Sequence, residues 1–398
     1  MKGNNMEMIS FEKAFQLMMN SAKLLGKETV SLNEASGRVL FEDIRSDVDM
    51  PPFNKSAMDG YACRSADIYS PLEVIETIPA GKAPEKDIGE GECSEIMTGA
   101  VVPEGADRVV MVEHTEVAGG RVVVKIKGGG KNICYRAEDV AKGDIVLKKG
   151  TVIGASEIAV LAAVGCVEVP VSKTPVLGII ATGSELVEPS SEPGRAKIRN
   201  SNSYQLAAQS RNAGFEPRYF GITEDTPEAI GDTIDRYRGS VDLFLLSGGV
   251  SMGEFDFVPG VLKDRGFKLL FEKVAVKPGK PTVFGKSKDD FVFGLPGNPV
   301  STFVIFELFV KPFCFALEGA KWEPRRVSAR LKDKIERRKT GRISHIPVKL
   351  TGSGKVEIVE YHGSAHIHAY TAADGFIAVP AGTGKIEAGE TIEVTLIN

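Results

Sequence analysis

The chain has 398 residues, with 42% hydrophobic and 26% charged side chains, a composition typical of a folded protein of several domains. Its 49 basic and 53 acidic residues leave a net charge of −4, so the charge balance does not indicate binding to nucleic acid or to an anionic membrane. The five cysteines are scattered and form no CxxC pair, which excludes a zinc ribbon or a thioredoxin-type site as the basis of function.

The start of the chain, residues 1–10, carries charge and Asn where a secretory signal would have an apolar core. The longest apolar run, residues 158–167, is too short to span a bilayer. Scattered cysteines suit a reducing compartment. These features together predict a cytoplasmic protein without a membrane segment.

The first half of the chain changes character around Asp49. Before it, apolar side chains recur at helical spacing from Phe11 to Leu25, and a capping-box pattern at 31–34 predicts a second short helix. After it, β-branched runs separated by Gly and Pro predict a β-rich region, followed by a helix at 155–164. The predicted strands are 72–78, 93–97, 108–112, 121–126 and 144–147.

From residue 174 the pattern alternates between strands and helices. Apolar runs predict strands buried on both faces, and helices between them can begin at Asn202 or Ser203 and at Asp225 or Thr226. We therefore expect a doubly wound parallel α/β domain over about 174–317. Its predicted strands are 176–181, 219–222, 241–246 and 291–295.

Short strands return after Trp322 and predict a small β-barrel or sandwich. We expect these strands at 327–331, 346–350, 356–359, 375–379 and 391–396. His362, His366 and His368 are the one histidine cluster, and we expect them on a surface strand rather than at a metal site.

Three strands of the predicted α/β domain end in glycine-rich turns, at 182–185, 247–251 and 296–299. Ligands of open parallel sheets bind at the carboxyl ends of the strands, where backbone N–H groups and helix N-termini favour anions. Glu185, Glu254 and Asp256 follow two of these turns, which indicates a divalent cation between the acids and a phosphate. The pattern predicts a phosphate-binding crevice.

A proline-stiffened loop at 276–281 carries two further charges, Lys277 and Lys280, which beside such a crevice favour an oxyanion site. The P-loop, GxGxxG, GxSxG and HExxH patterns do not occur. The residues alone therefore predict phosphate chemistry without identifying the class of substrate.

Eight short motifs, in one order over nearly the whole chain, resemble the MoeA / gephyrin E-domain family of molybdopterin molybdenumtransferases. Each motif alone is a weak signal, but their shared order is specific. The motifs lie at 51–62 (PPFNKSAMDGYA), 97–100 (MTGA), 103–107 (PEGAD), 136–139 (RAED), 182–186 (TGSEL), 247–253 (SGGVSMG), 277–281 (KPGKP) and 295–299 (LPGNP).

The resemblance implies an elongated homodimer whose subunit has four domains. These are an N-terminal helical and linker domain (1–45 plus 147–172), a β-rich domain (46–146), an α/β molybdopterin-binding domain (173–322) and a C-terminal β-barrel (323–398). The implied reaction inserts molybdate (or tungstate) into adenylylated molybdopterin, with release of AMP and a divalent cation, usually Mg²⁺. The adenylyltransferase and the acceptor molybdoenzymes are the further partners that it suggests.

The resemblance also implies roles for individual residues. Glu185 and Asp256, with Asp225, would act at the bound metal, while Asp59, Thr98 and Asp139 would face the crevice of the other subunit. The residues expected to bind substrate are Ser247, Gly248, Gly249, Ser251, Lys277, Lys280, Pro281, Pro296, Gly297, Asn298 and Ser364.

The chain departs from the family pattern at two positions. Asn54 stands where many members have Asp, which we expect to be tolerated if the side chain only caps a turn. Pro347 stands where members often have an anion-binding Arg, and Arg342 is the candidate replacement.

Three alternative functions are a molybdopterin adenylyltransferase, a dimeric scaffold or carrier for the pterin intermediate, and a nucleotide pyrophosphatase. The motifs outside the α/β region argue against an adenylyltransferase.

Overall fold

The computed structural model describes residues 7–250, 257–361 and 363–397. In residues 7–172 short strands dominate and helices are few. The helices are α1 (Phe11–Met19) and α2 (Ala155–Ala163), and the strands are β1 (Lys27–Ser31), β2 (Ile44–Arg45), β3 (Lys55–Ser56), β4 (Gly60–Cys63), β5 (Leu72–Ile78), β6 (Glu92–Ile96), β7 (Arg108–Met111), β8 (Thr115–Ala118), β9 (Arg121–Val124), β10 (Ile133–Cys134), β11 (Ile145–Leu147) and β12 (Glu168–Ser172).

The prediction of a largely helical start is wrong beyond α1. Ser10 caps that helix by accepting a hydrogen bond from the Lys13 N–H (3.2 Å), but the helix ends at Met19. Gly26, with a φ of +108°, turns the chain into β1, which pairs antiparallel with β12. The predicted second helix is only a 3-10 turn (Leu32–Glu34), and the Leu32 N–H donates to the distant Val167 carbonyl oxygen (2.9 Å).

The predicted β-rich region is confirmed. Its six-stranded sheet has the order β7-β4-β6-β5-β9-β8, and two small clusters of apolar side chains form its core. The strand predicted at 72–78 coincides with β5, and the neighbouring predictions differ from the observed bounds by one or two residues.

The α/β region follows from residue 176. Its strands are β13 (Val176–Thr182), β14 (Leu186–Val187), β15 (Ile198–Arg199), β16 (Glu216–Thr223), β17 (Leu243–Ser247), β18 (Lys268–Phe271), β19 (Val276–Lys277), β20 (Val283–Lys286) and β21 (Phe291–Leu295). Its helices are α3 (Asn202–Asn212), α4 (Pro227–Tyr237), α5 (Val258–Asp264), α6 (Pro299–Ile305) and α7 (Lys311–Leu317), with a π-helical turn (Phe306–Val310) joining the last two.

The main sheet of this region has the order β16-β13-β17-β21-β20-β18. The first four strands are parallel, as predicted. At one edge, β20 pairs antiparallel with β21, and β18 pairs antiparallel with β20. Because β13, β17 and β21 are adjacent and parallel, their carboxyl ends meet at one edge of the sheet. The fold thereby brings three glycine-rich turns together.

Among the described residues, one helical stretch, Pro299–Leu317, is long and apolar enough to cross a membrane by length and composition. Most of it is buried inside the protein, where Phe306, Phe309 and Phe313 join the main core. It is therefore accounted for as the core helix of the α/β region.

The C-terminal strands are β22 (Arg326–Leu331), β23 (Ile335–Glu336), β24 (Ile343–Leu350), β25 (Lys355–Ile358), β26 (Gly375–Val379), β27 (Lys385–Ile386) and β28 (Thr391–Leu396). Five of them close a barrel in the order β24-β25-β22-β28-β26, since β26 pairs back onto β24. The surface strand predicted for the histidines is wrong: His366 precedes a 3-10 turn (Ile367–Thr371), and His362 lies outside the described residues.

Two sets of contacts connect these regions. Strand β19, from the α/β region, pairs in parallel with β24 of the barrel, so that Lys277 lies opposite Ser344. At the other end of the core helix, the Leu25 N–H donates to the Leu317 carbonyl (3.1 Å) and Ser172 Oγ donates to the Glu318 carbonyl (2.6 Å).

Candidate functional site

A cavity of about 510 Å³ lies at the carboxyl ends of β13, β17 and β21, and we call it the crevice. This is where an open parallel sheet binds its ligands. Of the residues predicted to act on substrate or metal, those that line it are Glu185, Asp225, Ser247, Gly248, Gly249, Pro281, Pro296, Gly297 and Asn298.

The turn after β17 passes very close to the end of β13. The Gly248 N–H donates to the Leu295 carbonyl (3.1 Å), and its φ is +107°. A Cβ on Gly248 would lie 2.2 Å from the Thr182 carbonyl oxygen, a distance that atoms cannot adopt. Glycine is therefore required here both by the backbone conformation and by the lack of space.

Asn202 connects two of the turns through hydrogen bonds. It is the first residue of α3, which has Ser201 as its N-cap. Its Nδ2 donates to Ser247 Oγ and to the Gly297 carbonyl oxygen, both at 2.8 Å. Sequence reasoning assigned Asn202 only a capping role, because nothing local to it shows that Ser247 and Gly297 lie nearby.

The barrel supports the turn after β21. Asn298 Nδ2 donates to Ser364 Oγ (2.8 Å), and the Val300 N–H donates to the Ser364 carbonyl (3.0 Å). Thr302 Oγ1 donates to the Pro296 carbonyl (2.5 Å) from inside the core helix. Ser364 therefore positions the turn, while its neighbour Ala365 lines the crevice.

The loop after β13 forms one wall of the crevice through β14 and β15. Behind this wall, Glu188 accepts hydrogen bonds from the hydroxyls of Tyr219 (2.7 Å) and Tyr204 (3.0 Å). Burial, followed by the Glu188 carboxylate, raises the pKa of Tyr219 above its usual value. Tyr219 therefore stays protonated and holds the wall in place as a hydrogen-bond donor.

The acids of the crevice differ in exposure. The Glu185 side chain is exposed and Asp225 is half-buried, and both line the cavity. The described residues contain no cluster of three or more His, Cys, Asp or Glu side chains that could hold a metal ion. The predicted ligand Asp256 and the predicted substrate contact Ser251 lie outside the described residues.

A second cavity, of about 300 Å³, adjoins the same loop, and we call it the cationic cavity. Its described lining carries four positive side chains and no carboxylate. Since Lys280 lines this cavity and Pro281 lines the crevice, the two cavities share one loop. The positive residues are Lys277, Lys280, Lys339 and Arg342.

Arg342 reaches this cavity from the position just before β24 of the barrel. Its Nη1 donates to the Val276 carbonyl oxygen (3.3 Å), directly beside Lys277. Pro347 lies further along β24, opposite Phe376, and does not line the cationic cavity. Lys339 was missed by sequence reasoning, because the pairing of β19 with β24, which brings the barrel to the loop from 277 to 280, leaves no local signal in the sequence.

Asp59 and Thr98 lie at one end of the β-rich sheet, whereas Asp139 lies beside Met50, to whose carbonyl oxygen its N–H donates (3.0 Å). All three are exposed. Asp59 Oδ1 accepts from both the N–H (2.6 Å) and the hydroxyl (2.8 Å) of Thr98. These hydrogen bonds, the backbone one first, hold the pKa of Asp59 below its usual value. None of the three lines the crevice as the structure describes it.

Comparison with known proteins accounts for almost the whole chain. Residues 9–165 match the family model described as MoeA N-terminal region (domain I and II), residues 178–316 match a probable molybdopterin binding domain, and residues 328–397 match the MoeA C-terminal region (domain IV).

Individual relatives agree with these matches. The chain is 36% identical to a molybdopterin molybdenumtransferase of Bacillus subtilis (strain 168), over 98% of this chain and 94% of that protein. It is 35% identical to one of Staphylococcus epidermidis (strain RP62A), over 98% and 95%. The crystal structure of the molybdopterin biosynthesis moeA protein of Pyrococcus horikoshii OT3 superimposes with a TM-score of 0.87 at 32% identity, covering 98% of this chain and all of that one.

The fold and the paired cavities, with these matches, define a multidomain transferase of molybdenum cofactor biosynthesis. The chain belongs to the MoeA family of molybdopterin molybdenumtransferases.

Proposed function

We propose that the crevice binds the nucleotide and pyrophosphate of adenylylated molybdopterin while the cationic cavity binds molybdate or tungstate. The transfer releases AMP and leaves the metal on the dithiolene sulfurs. The observation that carries this proposal is the shared loop from Lys277 to Pro281, because the cationic cavity and the crevice adjoin each other along it.

The cationic cavity suits a doubly charged oxyanion. Four positive side chains around about 300 Å³ repel one another unless an anion lies between them. Arg342, fixed by the Val276 carbonyl, supplies from the barrel the guanidinium that is lacking at Pro347. Lys339 adds a second charge from the same side.

The crevice also fits a divalent cation, which we expect to be Mg²⁺. Glu185 and Asp225 both line the cavity, and Mg²⁺ is usually held by one or two carboxylates together with substrate phosphates. Asp256 is the proposed further ligand. When bound, the ion would offset the charge on the phosphoanhydride oxygens. The turn at Gly248 positions backbone next to the same oxygens, and the wall from 186 to 199 excludes water from one side.

We further propose that the protein is a cytoplasmic homodimer. The support for a homodimer is that none of Asp59, Thr98 and Asp139 lines the crevice of its own chain as the structure describes it. A second subunit would supply them, as the family resemblance implies. The adenylyltransferase that makes the substrate and the molybdoenzymes that receive the product are the proposed further partners.

The test is AMP release from purified adenylylated molybdopterin, with and without molybdate and Mg²⁺. We expect AMP release to need both ions and to collapse in Asp256→Ala. Arg342→Ala should raise the molybdate concentration for half-maximal rate about tenfold, because one charge-assisted contact is lost. Lys355→Ala, which removes an exposed lysine elsewhere on the barrel, is the matched control and should change nothing.

Two outcomes would contradict the proposal. Equal AMP release without molybdate would indicate a nucleotide pyrophosphatase. Tight binding of the intermediate with no AMP release under any condition would indicate a carrier or scaffold.

A further inference from the structure

The loop between β23 and β24, residues 338–342, supplies two of the four positive side chains of the cationic cavity, and we call it the cationic loop. Arg337, the residue before it, holds the end of this loop to the barrel. Its Nη2 donates to the Arg342 carbonyl oxygen (2.8 Å). Its Nη1 donates to the carbonyl oxygens of Val379 (2.9 Å) and Pro380 (3.3 Å), at the end of β26. The planar guanidinium thus connects the cationic loop to a neighbouring strand.

Further hydrogen bonds hold the middle of the cationic loop. Arg337 Nη2 also donates to the Lys339 carbonyl oxygen (3.4 Å), and the Gly382 N–H donates to the Thr340 carbonyl oxygen (2.9 Å). The backbone of the loop is therefore held to the barrel on both sides of Gly341.

The cationic loop needs this support because its positive charges are repelled by the rest of the cavity. Lys339 and Arg342 belong to the loop, and they share a cavity of about 300 Å³ with two further cations, Lys277 and Lys280. Like charges this close repel one another, which favours movement of an unsupported loop away from the cavity. The described hydrogen-bond partners of Arg337 are uncharged carbonyls, so it holds the loop without placing a carboxylate beside an anion site.

We infer that Arg337 is a positioning residue for the oxyanion, which holds Lys339 and Arg342 at the cationic cavity before molybdate binds. The inference rests on the proposed function, since it takes molybdate or tungstate as the ligand of this cavity. Arg337 is not among the described residues that line the cavity, so it acts through the loop and not by contact with the anion. An anion that binds a loop already in place loses less free energy to ordering it, and its affinity is therefore higher.

Steady-state AMP release by the full chain, measured over a range of molybdate concentrations, tests the inference. Arg337→Gln should raise the molybdate concentration for half-maximal rate about tenfold, because the loop loses its charged donor. The rate at saturating molybdate and the KM for adenylylated molybdopterin should stay within about twofold of wild type. Arg330→Gln, which changes an exposed arginine on β22 of the same barrel, is the matched control and should alter none of these values.

Two further variants distinguish positioning from charge and from a general loss of structure. Arg337→Lys keeps the charge but not the planar fork, and it should raise the half-maximal molybdate concentration about fivefold or more. If Arg337→Gln does not fold, Arg337→Lys replaces it. Because Arg337 acts through Arg342, its substitution should matter less once that side chain is removed. In an Arg342→Ala chain, Arg337→Gln should raise the half-maximal concentration by less than about threefold.

Three outcomes would overturn the inference and leave the proposed function standing. They are an unchanged half-maximal molybdate concentration in Arg337→Gln, complete rescue by Arg337→Lys, and an undiminished effect of Arg337→Gln in the Arg342→Ala chain. A wild-type chain that releases AMP equally well without molybdate overturns both.

Discussion

The polar side chains of the crevice differ from those at the exposed end of the β-rich sheet in burial and in hydrogen bonding. In the crevice, Thr182 and Asn202 are buried and each keeps an oxygen without a donor among the described residues. At the end of the β-rich sheet, Asp59 is exposed and already accepts two hydrogen bonds from Thr98. The polar oxygens of the first region are therefore buried and unpaired, whereas the carboxylate of the second is exposed and already paired.

The difference in hydrogen bonding affects the stability of the two regions. An unpaired buried polar atom destabilises a folded protein by about 1–3 kcal/mol, so the arrangement in the crevice lowers the stability of the fold. Asp59 loses nothing in the free protein, and its hydrogen bonds keep it charged and in a fixed position. Asp59 is therefore exposed, charged and fixed in position, which suits a contact with another protein surface.

The largest effect is expected from Gly248→Ala in the crevice. The added Cβ would lie 2.2 Å from the Thr182 carbonyl at a φ of +107°, so the turn must move. A displacement of this kind should lower the rate of AMP release on the order of 100-fold or more, because the substrate phosphates lose their position. Steady-state kinetics would measure it.

Gly260→Ala is the control for that substitution. Gly260 lies in α5, and a Cβ added there would point into open space, while alanine is the better helix former. The substitution should leave activity unchanged and raise the melting temperature slightly. Full activity in Gly248→Ala would show that the close approach of the two turns does not matter to the reaction.

A smaller and more diagnostic effect is expected when the two regions are inactivated on different subunits. Asp59→Ala and Lys277→Ala should each be inactive alone. A purified heterodimer of the two should recover about half of the wild-type rate, because one of its two composite sites keeps both groups. Activity assays on differently tagged, co-expressed chains would measure this. No recovery would mean that Asp59 serves the crevice of its own chain or serves no crevice.

The smallest effect is expected from Asn54→Asp, at the β-rich end. Asn54 Oδ1 accepts from the Arg136 N–H (2.9 Å), and an aspartate oxygen can accept the same bond. The melting temperature should change by no more than about 2 °C and AMP release by less than about twofold. Asn54→Ala, which removes the acceptor, should cost about 1 kcal/mol of stability. Equal effects of the two substitutions would contradict the turn-capping role.

Much of the crevice could be predicted because its parts are local patterns. An apolar strand followed by a glycine-rich turn is visible in the sequence at Thr182, Ser247 and Leu295, and parallel topology then brings the three turns together. The strands at 291–295, 375–379 and 391–396 were predicted to the residue for the same reason. Turn residues and apolar runs mark these boundaries clearly.

The remaining features depend on contacts between distant segments. The role of Asn202 arises from Ser247 and Gly297, which lie 45 and 95 residues away. The strand β1 forms because β12 pairs with it, although the local pattern favoured helix. The strands β18 and β20 were not predicted, and Lys339 lies beside the loop from 277 to 280 because β19 pairs with β24.

The core helix from Pro299 to Leu317 connects the crevice to the N-terminal region. Nineteen helical residues span about 28 Å, with Asn298 of the crevice at one end and the Leu25 and Ser172 contacts at the other. One continuous stretch of helical backbone therefore joins the N-terminal contacts to the turn that holds Gly297. The π-helical turn at Phe306–Val310 interrupts the regular hydrogen-bond ladder within this stretch.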